Sequence, residues 1–124
     1  MLKRVLILLI FPTLLMATDI SGVYNIKGVN PNGSKYQGTL AIKKNFGVYF
    51  FSWSIAKQKF SGKGKLRGNK ITVDWGAKDP VIYTVQSDGT LRGVWARGKA
   101  TENAYPKSTE ADAIPDRPVA PTEP

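Results

Sequence analysis

From Tyr24 to Trp95, large apolar side chains recur at every second position, and no stretch of useful length carries the spacing of an amphipathic helix. In the run Gly22–Gly28, Tyr24 and Ile26 share a face. In the next, Tyr36, Gly38, Leu40 and Ile42 oppose Gln37, Thr39, Ala41 and Lys43. The third run, Val48–Ile55, is apolar on both faces: Tyr49, Phe51, Trp53 and Ile55 alternate with Val48, Phe50, Ser52 and Ser54, so its inward side is open. The fourth, Lys57–Arg67, is the most regular. Lys57, Lys59, Ser61, Lys63, Lys65 and Arg67 point one way, and Phe60, Gly62, Gly64 and Leu66 the other, as in a strand with one wet face. Two inward glycines predict close approach of another backbone or a bulky ring, or a sharp bend. Ile71, Val73 and Trp75, then Val81, Tyr83 and Val85, then Leu91, Gly93 and Trp95 give three more inward faces. An eighth, weakly marked strand falls at 99–105.

Turn signals separate these runs. Asn30-Pro31-Asn32-Gly33, Lys44-Asn45-Phe46-Gly47, Gly68-Asn69, Lys78-Asp79-Pro80 and Ser87-Asp88-Gly89-Thr90 each interrupt the alternation with residues that favour reversal. The pattern predicts an all-β chain: a small antiparallel meander of seven to eight strands that closes into a barrel or curled sheet, with a β-sandwich as the alternative. Closure removes exposed edges. Gly follows a large apolar residue by two at Tyr36-x-Gly38, Phe60-x-Gly62 and Leu91-x-Gly93, and Trp53, Trp75 and Trp95 recur at similar spacing. This rhythm predicts glycine hollows filled by neighbouring tryptophans. Cutting any of the three indoles to alanine should then cost roughly 3–5 kcal/mol.

The ends differ from this body. Lys3 and Arg4 precede an apolar run from Val5 to Met16, closed by Ala17 before Thr18-Asp19, the layout of a secretory signal peptide. The run is too short to cross a bilayer, so the mature chain is expected to have no membrane span and to be exported, periplasmic or secreted. Pro106, Pro115, Pro118, Pro121 and Pro124 stand among acids and alanines, a composition that predicts a disordered tail. The expected organisation is a leader at 1–17, a barrel domain at 18–103 and a Pro-rich acidic tail at 104–124.

Composition narrows the chemistry. The 124 residues include no Cys and no His. Disulfides, thiolate nucleophiles and the commonest metal ligand and neutral-pH base are therefore absent. Neither a cofactor nor a metal site is expected. The acids of the body, Asp19, Asp74, Asp79, Asp88 and Glu102, sit in turn-like or outward contexts, with Glu102 expected at a rim near Arg97. A non-catalytic protein is the expectation.

The formal charge is +9. It is concentrated in 18–100, which holds 14 Lys or Arg against 4 Asp, whereas 101–124 holds 2 basic and 5 acidic residues. Two binding readings follow. One places a protein or small ligand on the aromatic cluster Tyr49, Phe51 and Trp53. The other places a polyanion or anionic envelope surface on Lys57, Lys59, Lys63, Lys65 and Arg67, through salt-steep attraction. That basic row would also serve to protect a sheet edge, and a structural envelope role without a ligand is a further alternative.

The ordered set Gly22-x-Tyr24, Asn30-Pro31-Asn32-Gly33, Tyr36-x-Gly38, Gly62-x-Gly64, Val73-Asp74-Trp75-Gly76, Val81-Ile82-Tyr83, Asp88-Gly89-x-Leu91-x-Gly93-x-Trp95 and Thr101-Glu102 resembles small exported bacterial proteins often labelled fibronectin-binding protein. The resemblance covers about residues 20–102. It implies an exported binding role toward an extracellular matrix protein, and assigns no residue to the ligand. The opening Gly22-x-Tyr24 is also similar, with Tyr in place of Trp, to the Gly-x-Trp start of calycin barrels such as lipocalins and avidin, which implies a related barrel shape.

Overall fold

The computed structural model describes residues 18–107; the leader predicted over 1–17 and the chain from 108 onward lie outside the described residues. Eight strands follow in order: β1 (Gly22–Val29), β2 (Lys35–Asn45), β3 (Val48–Ile55), β4 (Gln58–Arg67), β5 (Lys70–Asp74), β6 (Val81–Val85), β7 (Leu91–Trp95) and β8 (Ala100–Pro106). Each pairs antiparallel with its neighbours in the chain, and β8 returns to pair with β1, closing the barrel. One continuous sheet replaces the sandwich alternative. The weakly marked last strand is β8. It runs through Pro106 with Ala104 wholly buried, so residues 104–106, assigned from composition to the tail, belong to the barrel. Its inward positions are Ala100, Glu102 and Ala104, two small side chains and one acid, which is why hydrophobic alternation marked it poorly.

Pairing settles the face of β3. Leu40 and Ile42 of β2 point inward and lie opposite Trp53 and Phe51, so Tyr49, Phe51 and Trp53 point into the core. Val48, Phe50 and Ser52 take the outer side, and Phe50 is left 44% exposed. The interior below the site is filled by Tyr24, Ile26, Leu40, Ile42, Phe51, Ile71, Val73, Tyr83 and Leu91. Its large members are tyrosines and a phenylalanine as much as tryptophan. The rings of Phe51 and Tyr83 stack at 5.7 Å, and those of Phe51 and Trp53 at 5.6 Å.

The glycine hollows exist but hold different occupants. On β4, the β5 backbone closes over Gly62 and Gly64; a Cβ on Gly62 would lie 2.7 Å from the Asp74 carbonyl oxygen. The rings that fill hollows are those of Tyr36, over Gly28, and Tyr83, over Gly93. No tryptophan does so.

The two poles of the barrel differ. At one, Ile20 from the segment before β1 is buried as a plug, and the Tyr24 hydroxyl donates to its carbonyl at 2.7 Å. The chain leaves at this same pole, where the Lys107 amide donates to the Val23 carbonyl at 2.8 Å. The other pole, bounded by the β1–β2, β3–β4, β5–β6 and β7–β8 connections, is open.

Candidate functional site

Five cross-strand neighbours build the floor of the open pole. Tyr83 on β6 pairs with Gly93 on β7, Gly93 with Glu102 on β8, Glu102 with Gly28 on β1, and Gly28 with Tyr36 on β2. The sequence of side chains across the sheet is thus Tyr, Gly, Glu, Gly, Tyr. With no Cβ on either side of Glu102, both tyrosine rings lie down over the glycines and reach the carboxylate from opposite sides. The Tyr36 hydroxyl donates to Oε1 at 2.7 Å, and the Tyr83 hydroxyl donates to Oε2 in a short hydrogen bond. Trp53 comes across from β3, and its Nε1 donates to Oε2 at 3.0 Å while also lying 3.1 Å from the Tyr83 hydroxyl. Trp95 Nε1 donates to the Tyr36 hydroxyl at 3.2 Å.

Glu102 is 4% exposed, and every protein group bonded to it is a donor. Burial raises its carboxyl above the ordinary range, and the bonds from Tyr83, Tyr36 and Trp53 oppose that rise. Both tyrosine hydroxyls are held well above their usual range, first by burial and then by the facing carboxylate, so they keep their protons and act as donors. Two bonds end on Oε2 and one on Oε1. A carboxylate has about four acceptor directions, so Oε1 retains one. The ion pair among the described residues is Arg97 with Asp79, 4.0 Å apart at the rim, and it does not reach Glu102. The rim pairing expected between Glu102 and Arg97 is therefore replaced: the acid turned inward with the alternation of β8, and Arg97 found Asp79.

Above the carboxylate lies a cavity of about 240 Å³, lined by Asn30, Tyr36, Trp53, Ile55, Gln58, Phe60, Trp75, Val81, Trp95 and Glu102. Its aromatic walls meet steeply. Trp75 and Trp95 cross at 84°, Phe60 and Trp75 at 72°, and Tyr36 and Trp95 at 67°. Trp75 is fixed by its Nε1 donating to the Asp79 carbonyl at 2.9 Å. At the rim, Ala96, Arg97 and Gly98 take consecutive left-handed conformations, with φ of 51°, 56° and 84°. For Ala96 and Arg97 this is a strained backbone, retained where the β7–β8 turn folds beside Trp95.

The three tryptophans thus play unequal parts. Trp53 is 4% exposed, whereas Trp75 and Trp95 are half-buried walls of the cavity. Trp53→Ala is expected to cost about 3–5 kcal/mol, and Trp75→Ala or Trp95→Ala less than half as much, because each already faces solvent on one side. Urea unfolding of the three variants checks the order; equal losses would mean that the open pole is closed in solution.

Of the aromatic residues singled out from sequence, Trp53 lines the cavity. Phe51 lies beneath it in the core, and Tyr49 lies at the plugged pole, its hydroxyl 3.4 Å from the Thr18 carbonyl. They do not form a common site. The basic residues are arrayed as expected: Lys59, Lys63, Lys65 and Arg67 project outward from β4, and Lys57 is exposed in the preceding turn. They do not guard an edge, since β4 is bonded to β3 and β5 on its two sides. Phe50 lies between Lys43 and Lys63 in the same outer row.

No family model and no curated protein matches the chain. Among solved structures, it is similar to a redesigned beta barrel, with a TM-score of 0.52 and 14% identity over 72% of this chain and 92% of that one. At that identity the likeness concerns the fold alone.

Proposed function

We propose that this protein is an exported, non-catalytic binding module that takes a small ligand into the open pole of its barrel. The observation that supports this most is an aromatic cavity ending on a buried carboxylate with a spare acceptor direction. Such sites are mostly apolar, with a few polar groups that set orientation. At about 240 Å³ the cavity lies below the ~300–1,000 Å³ of drug-sized sites, so it suits a small molecule or one group of a larger one. A matrix protein, as the family resemblance implies, would enter it with a single side chain. Export rests on the charged, apolar and small-residue order of positions 1–17. A binding rather than catalytic role is supported by the fixed setting of Glu102, whose carboxylate is held by three donors and faces no other acid or base of the described residues.

All three tryptophans of the chain line this cavity. Occupancy should therefore shift the whole indole emission. A panel of small amines, alcohols and apolar molecules, titrated against the protein, should produce saturable shifts whose midpoints Trp95→Leu moves to higher concentration. A panel that leaves the emission unchanged would sink the reading.

Lys43 and Lys63, which flank Phe50 across the sheet, with Lys65 further along β4, support a second reading, adhesion to a polyanion, because an exposed ring stands among these cations. Retention on heparin that falls steeply with salt, and falls further in Lys59/Lys63/Lys65→Gln, would support it; unchanged retention in that variant would remove it.

A further inference from the structure

We infer that the ligand is an organic cation, an alkylated ammonium compound whose charged head sits among Tyr36, Phe60, Trp75 and Trp95 with Glu102 beneath it. This rests on the cavity being the binding site and adds the chemistry of its occupant.

Two features point the same way. The first is the box shape of the walls. Rings that cross at 67–84° present faces and edges around an enclosed volume. A sugar or other flat ligand is better served by a broad platform with several hydrogen-bonding groups, whereas rings that surround a head group suit an ammonium ion attracted to their π-faces. The second is the charge of the floor. Glu102 is buried with donors that suit the ionised form, yet no cation of the described residues reaches it. Hydrogen bonds offset part of the cost of burying that charge, and a cationic occupant would supply the missing counter-charge.

The outside of the barrel constrains which cation. Lys57, Lys78, Arg97 and Lys99 lie in the connections around the open pole, against Asp79 there and Asp74 at the end of β5, whose carboxylate accepts from the Gly76 amide. This field repels cations at long range, and the wall is apolar. A small, strongly hydrated ion gains little by entering. A bulky, weakly hydrated one gains from burial of its methyl groups and from the rings. Salt should screen the outer repulsion but leave the enclosed contact intact. Affinity should therefore hold or rise between about 0.02 M and about 0.2 M salt, the reverse of a surface ion pair.

The test titrates the full chain with tetramethylammonium and choline, against 3,3-dimethylbutan-1-ol as a neutral probe of nearly the same shape as choline, following tryptophan emission and heat of binding. The expected result is saturable binding of the cations, at least about 10-fold tighter than the alcohol, a difference of ~1.4 kcal/mol. Glu102→Gln should remove most of that preference by weakening the cations far more than the alcohol, and Trp95→Leu should weaken both. Equal or tighter binding of the alcohol would overturn the assignment of charge while leaving a binding cavity in place. Failure of cations and alcohol alike to perturb the emission would overturn both the assignment and the cavity as the site. Cation binding that survives Glu102→Gln at full strength would also overturn the assignment.

Discussion

Glu102→Ala is expected to lower stability by about 3 kcal/mol, whereas Glu102→Gln should change it by less than about 1 kcal/mol. Alanine leaves the Tyr36 and Tyr83 hydroxyls without their acceptor, the latter wholly buried, and leaves the buried Trp53 indole only the Tyr83 hydroxyl to donate to. Glutamine can keep its carbonyl toward Tyr83 and Trp53 and turn its amide toward Tyr36, whose hydroxyl then accepts. Wild type and Glu102→Gln also separate by pH. The carboxyl of Glu102 is raised in the fold, chiefly by burial. Its contribution to stability is therefore fully present below the unfolded value and is lost as pH rises through the folded one. Wild type should gain stability relative to Glu102→Gln as pH falls from neutrality toward about 4.5, then gain no more. Asp19 and Asp88 have lowered carboxyls and act in the opposite sense, but both proteins carry them, so they cancel in the difference. Urea unfolding at a series of pH values measures this difference. A flat difference would show that the carboxylate is solvated.

Gly64→Ala is the second change with a large expected effect. The added methyl would strike the Thr72 carbonyl oxygen of β5, a backbone atom held in the sheet by the pairing of β4 with β5. A flexible side chain could swing away; a bonded strand cannot. The expected cost is about 2–3 kcal/mol, which for a domain of this size lowers Tm by about 10–20 °C. Gly38→Ala meets the Ser54 carbonyl in the same way and should behave alike. Ser61→Ala, on the outer face of β4, is the control and should stay within about 0.5 kcal/mol of wild type. Thermal unfolding followed by far-ultraviolet circular dichroism gives the comparison. A tolerated Gly64→Ala would mean that β4 and β5 lie further apart than 2.7 Å contacts such as that at Gly62 require.

The strands were legible because a period of two needs only local sequence. β3 was legible in extent but not in facing, since Tyr49 and Phe50 are both aromatic and only the pairing with Leu40 and Ile42 distinguishes them. The site was legible only in fragments. Tyr36, Tyr83 and Gly93 stood on inward faces in the alternation, but Glu102 between Thr101 and Asn103 reads locally as part of a polar rim. Its role emerges from register: β7 and β1 each bring a glycine beside it, and those glycines lie nine residues and seventy-four residues away along the chain. Local pattern cannot report contacts of that separation. The unequal parts of the tryptophans are hidden in the sequence for a related reason. Inward-facing is not the same as enclosed: Trp75, just past the end of β5, and Trp95, the last residue of β7, stand at the open pole, where the barrel has no further layer to cover them.

The arrangement of the two poles has a practical corollary. Thr18 and Lys107 both lie beside the Ile20 plug, opposite the aromatic walls. A linker, a dye or a solid support joined at either place would therefore hang from the sealed base. The barrel would stand upright, its open pole turned to the surrounding fluid, with orientation decided by the fold rather than by the chemistry of attachment.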